Sequence, residues 1–203
     1  MPTEAIYALA VLAAYLLGSL PFAVIISRLF GLADPRSYGS KNPGATNVLR
    51  SGNKVAAALT LIGDAAKGWV AVFIAGQMHM PVLVIGLVAI AVFAGHLFPV
   101  FLKFKGGKGV ATALGVLFGL DEILAIAVLG VWLGVAFAFR YSSLAAVTAA
   151  VAAPMVAGLI HGTRGGTVAV VAVIAIGLIA RHWGNIQRLL AGKEGKIGAA
   201  KKS

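Results

Sequence analysis

The chain has 203 residues, 60% hydrophobic and 11% charged, with a mean hydropathy of +0.97. Soluble domains run at about 45–50% apolar and about 25% charged, so a water-soluble or disordered chain is excluded, and long continuous apolar runs exclude an outer-membrane barrel in favour of membrane helices. Seventeen Lys and Arg against six Asp and Glu suit anionic lipid or an anionic substrate, with no soluble module for nucleic acid; the lack of cysteine removes disulfides, thiolate metal sites and a Cys nucleophile.

Seven helical segments are expected, at about 5–27, 55–76, 81–102, 108–120, 122–140, 143–161 and 166–183. The first is preceded by Glu4 and no basic residue, unlike a signal peptide, and Pro21 should kink it. A polar loop follows, Tyr38-Gly-Ser-Lys-Asn-Pro-Gly-Ala-Thr-Asn-Val-Leu-Arg50. Its Ser, Asn and Thr groups suit oxyanions and Arg50 suits a phosphate; a turn with Thr46 or Asn47 as helix cap is compatible with both.

In the second segment Asp64 and Lys67 are three apart, on one face, and read as a structural ion pair. In the third, His96 and Pro99 read as a helix-end feature. Gly106-Gly107-Lys108-Gly109 then leads into the fourth segment. Glycines that let the backbone approach a ligand, a helix N-terminus and a lysine suit a phosphate, although a flexible basic loop has the same composition. The lysine-containing pattern is not a Walker A loop. The fourth segment is short of the roughly 20 residues that cross a bilayer.

Arg140-Tyr-Ser-Ser143 opens the sixth segment, where the serines suit a ligand or an N-cap. The seventh ends in Arg181-His-Trp-Gly-Asn-Ile-Gln-Arg188, with His182 and Asn185 on one face if the helix continues. Among so many cations His182 should stay neutral, ready to accept a proton. Gly184 is expected to loosen this helix end, and the tail from about residue 192 to 203 to be loose.

With the N-terminus outside, fifteen of the seventeen cations fall on inner segments, Arg164 lies outside and Lys67 within a span. The positive-inside rule therefore predicts seven crossings with the C-terminus in the cytoplasm, and one shared site on that face. Six carboxylates offer no cluster for Mg²⁺ or Zn²⁺, and neither a Gly-x-Ser-x-Gly elbow nor a His-x₄-Asp pattern occurs.

Taken together, Gly18-Ser-Leu-Pro-Phe22, the Gly39–Arg50 loop, Asp64-Ala-Ala-Lys-Gly68, Gly95-His-Leu-Phe-Pro99, Lys105–Thr112, Tyr141-Ser-Ser143 and Arg181–Leu190 with Gly192 and Glu194 resemble the bacterial acyl-phosphate:glycerol-3-phosphate acyltransferases (PlsY) over nearly the whole chain. The resemblance implies a single seven-helix domain in the bacterial inner membrane. It implies acyl transfer from acyl phosphate to the 1-hydroxyl of glycerol 3-phosphate, giving lysophosphatidic acid and phosphate as the first acylation of phospholipid synthesis. No metal, cofactor or acyl-CoA is implied; the partners are the two substrates, membrane lipid and, functionally, a soluble enzyme that makes acyl phosphate.

Carried over residue by residue, His182, Asn185, Ser40 and Arg50 are catalytic. Asn42, Lys108, Gly106, Gly107, Gly109, Thr112, Ser142 and Ser143 bind substrate, the glycines through their amides. Glu194 is structural, salt-bridged to a nearby cation. Either His182 or the donor's own phosphate takes the hydroxyl proton; the second is favoured, since no His–carboxylate pair is visible in the sequence. The rival reading is a small transporter of an organic phosphate.

Overall fold

The computed structural model describes residues 2–162 and 166–197. Arg164, Lys201 and Lys202, counted above for topology and tail, lie outside the described residues. Every regular element among the described residues is helical. The chain divides into two compact units, residues 1–122 and 123–203.

The first unit opens with α1 (Thr3–Gly18) and α2 (Phe22–Leu29). They are bent by 43° where Pro21 removes a backbone donor, as the kink prediction required. A polar loop carries the short α3 (Ala45–Val48) and a 3₁₀ turn at Leu49–Ser51. Neither was predicted, because four residues show no helical period. α4 (Lys54–Gln77) follows, capped by Asn53, whose Oδ1 accepts from the Ala56 amide at 2.9 Å. That cap replaces the one expected from Thr46 or Asn47.

α5 (Val82–Leu97) stops before Pro99, and a 3₁₀ turn follows at Val100–Leu102. α6 (Val110–Leu120) is eleven residues long. At 1.5 Å per residue it spans roughly 16 Å, about half the hydrocarbon thickness.

The helices meet through small residues. A Cβ at Gly115 would collide with the Ala65 carbonyl, and one at Gly68 with the Thr112 carbonyl, so α4 and α6 touch backbone to backbone. Lipid is as apolar as leucine, so association rests on this close packing rather than on a hydrophobic drive.

The second unit holds α7 (Glu122–Phe139, opening at the unit boundary), α8 (Ser142–His161), α9 (Gly166–Arg181) and α10 (Trp183–Leu190). α8 and α9 pair, and α10 lies against both. α9 and α10 are bent by 59° at His182. The seventh segment thus neither runs on straight nor loosens at Gly184; it turns sharply and resumes as a helix with polar residues. Phe137 is 91% exposed and Leu159 86%, which water would penalise and hydrocarbon does not. Among the described residues four helices are long and apolar enough to cross a membrane, and up to six spans result if each bent pair counts as one. The protein is an all-helical, multi-pass integral membrane protein.

Candidate active site

The polar loop of the first unit is built around Asn47, which is 2% exposed. Its Nδ2 donates to the Pro35 carbonyl at 2.6 Å and to the Tyr38 carbonyl at 3.2 Å, and its Oδ1 accepts from the Ser40 amide at 3.0 Å. One amide side chain thereby fixes the course of residues 35–40. Gly39 has φ +58°, and a Cβ there would meet Asn47 Oδ1 and the Arg50 side chain. The guanidinium of Arg50 therefore lies across the glycine, beside Ser40. Ser40 and Arg50 are exposed and Asn42 is half-buried. The structure brings these three predicted residues onto one loop. Sequence reasoning saw Asn47 as a donor or a cap and missed it as the hub.

The glycine strap is built differently from expectation. The Gly106 amide donates to the Leu97 carbonyl at 3.2 Å and the Gly107 amide to the His96 carbonyl at 3.1 Å. Those amides satisfy carbonyls at the end of α5, which a helix terminus leaves open. The expectation that both present their amides to a ligand is corrected: the glycines are needed because the strap runs directly over α5. A Cβ at Gly106 would strike the His96 and Leu97 carbonyls, and one at Gly107 the His96 ring. Gly109, with φ +84°, turns the chain into α6. The first-turn amides of α6 start there, with half-buried Lys108 just before them. Thr112, expected at the substrate, is fully buried and its Oγ1 has no surface.

A narrow, open cleft in this unit has Gly106 and Gly107 on its wall together with Pro43, the neighbour of Asn42. The loop and the strap thus border the same space. Its floor is charged. Lys67 Nζ lies 2.8 Å from Asp64 Oδ1, the ion pair anticipated from their spacing. His96 Nδ1 lies 3.4 Å from the same oxygen, so it is more than a helix-end feature.

In the second unit the hub is Glu194. Its Oε1 accepts from Ser143 Oγ at 2.7 Å and from Asn185 Nδ2 at 2.6 Å, and its Oε2 pairs with Arg188 Nε at 2.8 Å. Burial pushes the carboxyl up, but the hydrogen bonds from Ser143, Asn185 and Arg188 outweigh it and hold the group below the ordinary glutamate range. The salt bridge that the resemblance implies for Glu194 is present, to Arg188. Ser143, however, is 4% exposed with its hydroxyl committed to Glu194, which corrects its expected contact with substrate. Ser142, one residue earlier, is half-buried at the start of α8. The N-cap position belongs to Tyr141, so the serine capping alternative does not hold.

The tail is not loose through residue 197. Ile197 donates its amide to the Arg140 carbonyl at 2.7 Å, and Arg140 Nη2 returns a bond to the Ile197 carbonyl at 3.1 Å. Glu194 is the only acid after Glu122, a signal that could have exposed its reach. His182 is 3% exposed and sits at the bend between α9 and α10. Its Nδ1 lies 2.8 Å from the Leu178 carbonyl. A carbonyl only accepts, so Nδ1 carries a proton in this contact. Asn185 is 7% exposed and shares this end of the unit with His182, whose carbonyl accepts the Asn185 amide at 2.8 Å.

Buried polar hubs at the ends of membrane helices, with cations and oxyanion donors on the loops they shape, suit a membrane enzyme that acts on phosphate-bearing substrates. The family model described as glycerol-3-phosphate acyltransferase matches residues 8–192. The chain is 67% identical over 196 residues to a glycerol-3-phosphate acyltransferase of Dechloromonas aromatica (strain RCB), covering 97% of this chain and 98% of that one. It is 60% identical over 196 residues to that of Burkholderia vietnamiensis (strain G4 / LMG 22486), covering 96% and 92%.

Among solved structures it is similar to the glycerol 3-phosphate form of PlsY, an integral membrane glycerol 3-phosphate acyltransferase. The TM-score is 0.89 at 40% identity, over 95% of this chain and 96% of that one. For the lysophosphatidic acid form of PlsY the TM-score is 0.87 at 39% identity, over 95% of each chain. The chain belongs to the PlsY family of glycerol-3-phosphate acyltransferases. The transporter reading is set aside.

Proposed function

We propose that the chain, working as one functional domain, moves an acyl group from acyl phosphate to the 1-hydroxyl of glycerol 3-phosphate. The hydroxyl oxygen forms the new ester bond to the acyl carbon and the bond from that carbon to the phosphate oxygen breaks. Lysophosphatidic acid and inorganic phosphate leave, and the hydroxyl proton ends on the phosphate. The observation that carries this reading is that the loop bearing Arg50 and the strap leading to Lys108 border one cleft, through Pro43 on the loop and Gly106 and Gly107 on the strap. Two cations placed there suit phosphate oxyanions, Arg50 by a bidentate grip and Lys108 as a point charge. The relatives crystallised in glycerol 3-phosphate and lysophosphatidic acid forms support the acceptor and the product.

Ser40 and Asn42 supply neutral donors beside Arg50, and Gly109 brings the first-turn amides of α6 to an oxyanion. Ser142, His182 and Asn185 keep the substrate-binding and catalytic roles that the family resemblance implies. His182 gives Nδ1–H to a carbonyl, a weaker polariser than the carboxylate of a Ser–His–Asp triad. That supports the donor's phosphate as the final proton acceptor, with the protein supplying position and charge. The charge distribution supports seven crossings including the short α6, the N-terminus outside, and a site facing the cytoplasm of the inner membrane. There it can receive acyl phosphate from a soluble enzyme and release product into lipid.

Purified protein in lipid, given palmitoyl phosphate, glycerol 3-phosphate and a chelator, should release phosphate only when both substrates are present. Release without glycerol 3-phosphate, or none from folded protein, would refute the donor assignment. A His182→Gln enzyme keeping most of its turnover would exclude His182 as obligatory base; loss of more than about a hundredfold in kcat would instead restore it.

A further inference from the structure

The ion triad under the glycine strap has no task in the chemistry above. Asp64 and Lys67 are each 3% exposed and His96 is 8% exposed. A buried ion pair adds little stability over apolar residues of similar size, and charge at membrane depth is expensive. What this triad does is tie several pieces of chain to one point. Asp64 and Lys67 come from the middle of α4. Lys67 Nζ also donates to the Leu20 carbonyl at 2.9 Å, at the break between α1 and α2. His96 comes from the last turn of α5. The strap rests on His96 twice: Gly107 donates its amide to the His96 carbonyl, and Gly107 itself lies against His96 Nε2.

From these contacts we infer that Asp64, Lys67 and His96 form a positioning device for Lys108, acting through the strap. Asp64 holds the His96 ring through Nδ1, the ring sets the height of Gly107, and Gly107 sets where Lys108 meets a phosphate. Lys67 neutralises Asp64 and anchors it to the α1–α2 break. In this device the three act on Lys108 through the strap, although they also form the floor of the cleft. The inference rests on the reading of Lys108 as a phosphate ligand.

Kinetics with both substrates varied tests it, using His96→Ala, His96→Asn, His96→Gln, Lys108→Met and the His96→Ala/Lys108→Met double variant, with a melting curve for each. Lys108→Met should raise KM for one phosphate-bearing substrate. His96→Ala should raise KM for that same substrate by roughly tenfold or more, with kcat within about twofold. Asn places its amide where Nδ1 sits and should restore KM to near the parent value, whereas Gln, which mimics Nε2, should not. The double variant should be no worse than Lys108→Met, because both changes remove one interaction. Multiplying effects, an Asn variant no better than Gln, or an unchanged KM in a folded His96→Ala enzyme would overturn the proposal. If KM responds to Lys108 and not to His96, the triad proposal alone falls. If neither KM responds to Lys108→Met, the role of Lys108 falls and the triad proposal with it.

Discussion

Asn47 and Glu194 are not the residues that a search for catalysts singles out, yet each gathers three partners and so decides where others point. Replacing Glu194 by Gln keeps one acceptor oxygen and loses the charge that Arg188 and Asn185 answer. A loss of about 2 kcal/mol in unfolding free energy is expected, at the lower end for charge-assisted bonds because Arg188 is half exposed. Denaturant unfolding in detergent checks it, and the activity of Glu194→Gln should fall further than its stability because Asn185 is released. The folded Glu194 titrates below its unfolded value, so its contribution is fully present above the ordinary carboxylate range. It is lost as pH falls through the lowered value; a parent protein with an unfolding midpoint flat in pH from neutrality to below that range would contradict this. Arg50 carries a separate expectation. Arg50→Lys preserves charge and loses the planar fork, so kcat/KM should drop by roughly a hundredfold while melting is unchanged.

Among the elements, the glycine strap is the most constrained. Gly107→Ala puts a methyl into the His96 ring, so the strap must lift away from α5. KM for the substrate that responds to Lys108 should rise by about tenfold or more, while α4, α5 and α6 keep their circular dichroism. The long helices were legible in the sequence because a continuous apolar run of the right length has few other fates. The kink at Pro21 and the Asp64–Lys67 pair were legible because each follows from local covalent geometry or helical spacing. α10 was not, since it is short, half of its residues are not apolar, and it lies against α8 and α9. The strap was half legible: Gly-Gly announces a close approach of backbone to something, and composition does not say whether that is a ligand or the chain itself. The Ser143–Glu194 bond joins residues 51 apart, beyond the reach of any local pattern.

For the molecule as a whole, the charge distribution predicts its orientation, and the lack of cysteine makes the prediction easy to test. A single cysteine introduced as Glu4→Cys should react with an impermeant thiol reagent in intact spheroplasts. One introduced as Lys193→Cys should react only after the membrane is opened. Labelling of both from outside would remove the cytoplasmic placement of the second unit's polar end.

The clamp at the end of the described chain also makes a point of attack. Lys193 and Lys196 are both exposed and flank Glu194. Trypsin cutting after Lys193 would detach the carboxylate from the helix it organises while every apolar span stays whole. A protease confined to the cytoplasmic side should therefore inactivate the enzyme without extracting it from the membrane. Activity that survives complete cleavage at Lys193 would show that the clamp is dispensable once the helices are assembled.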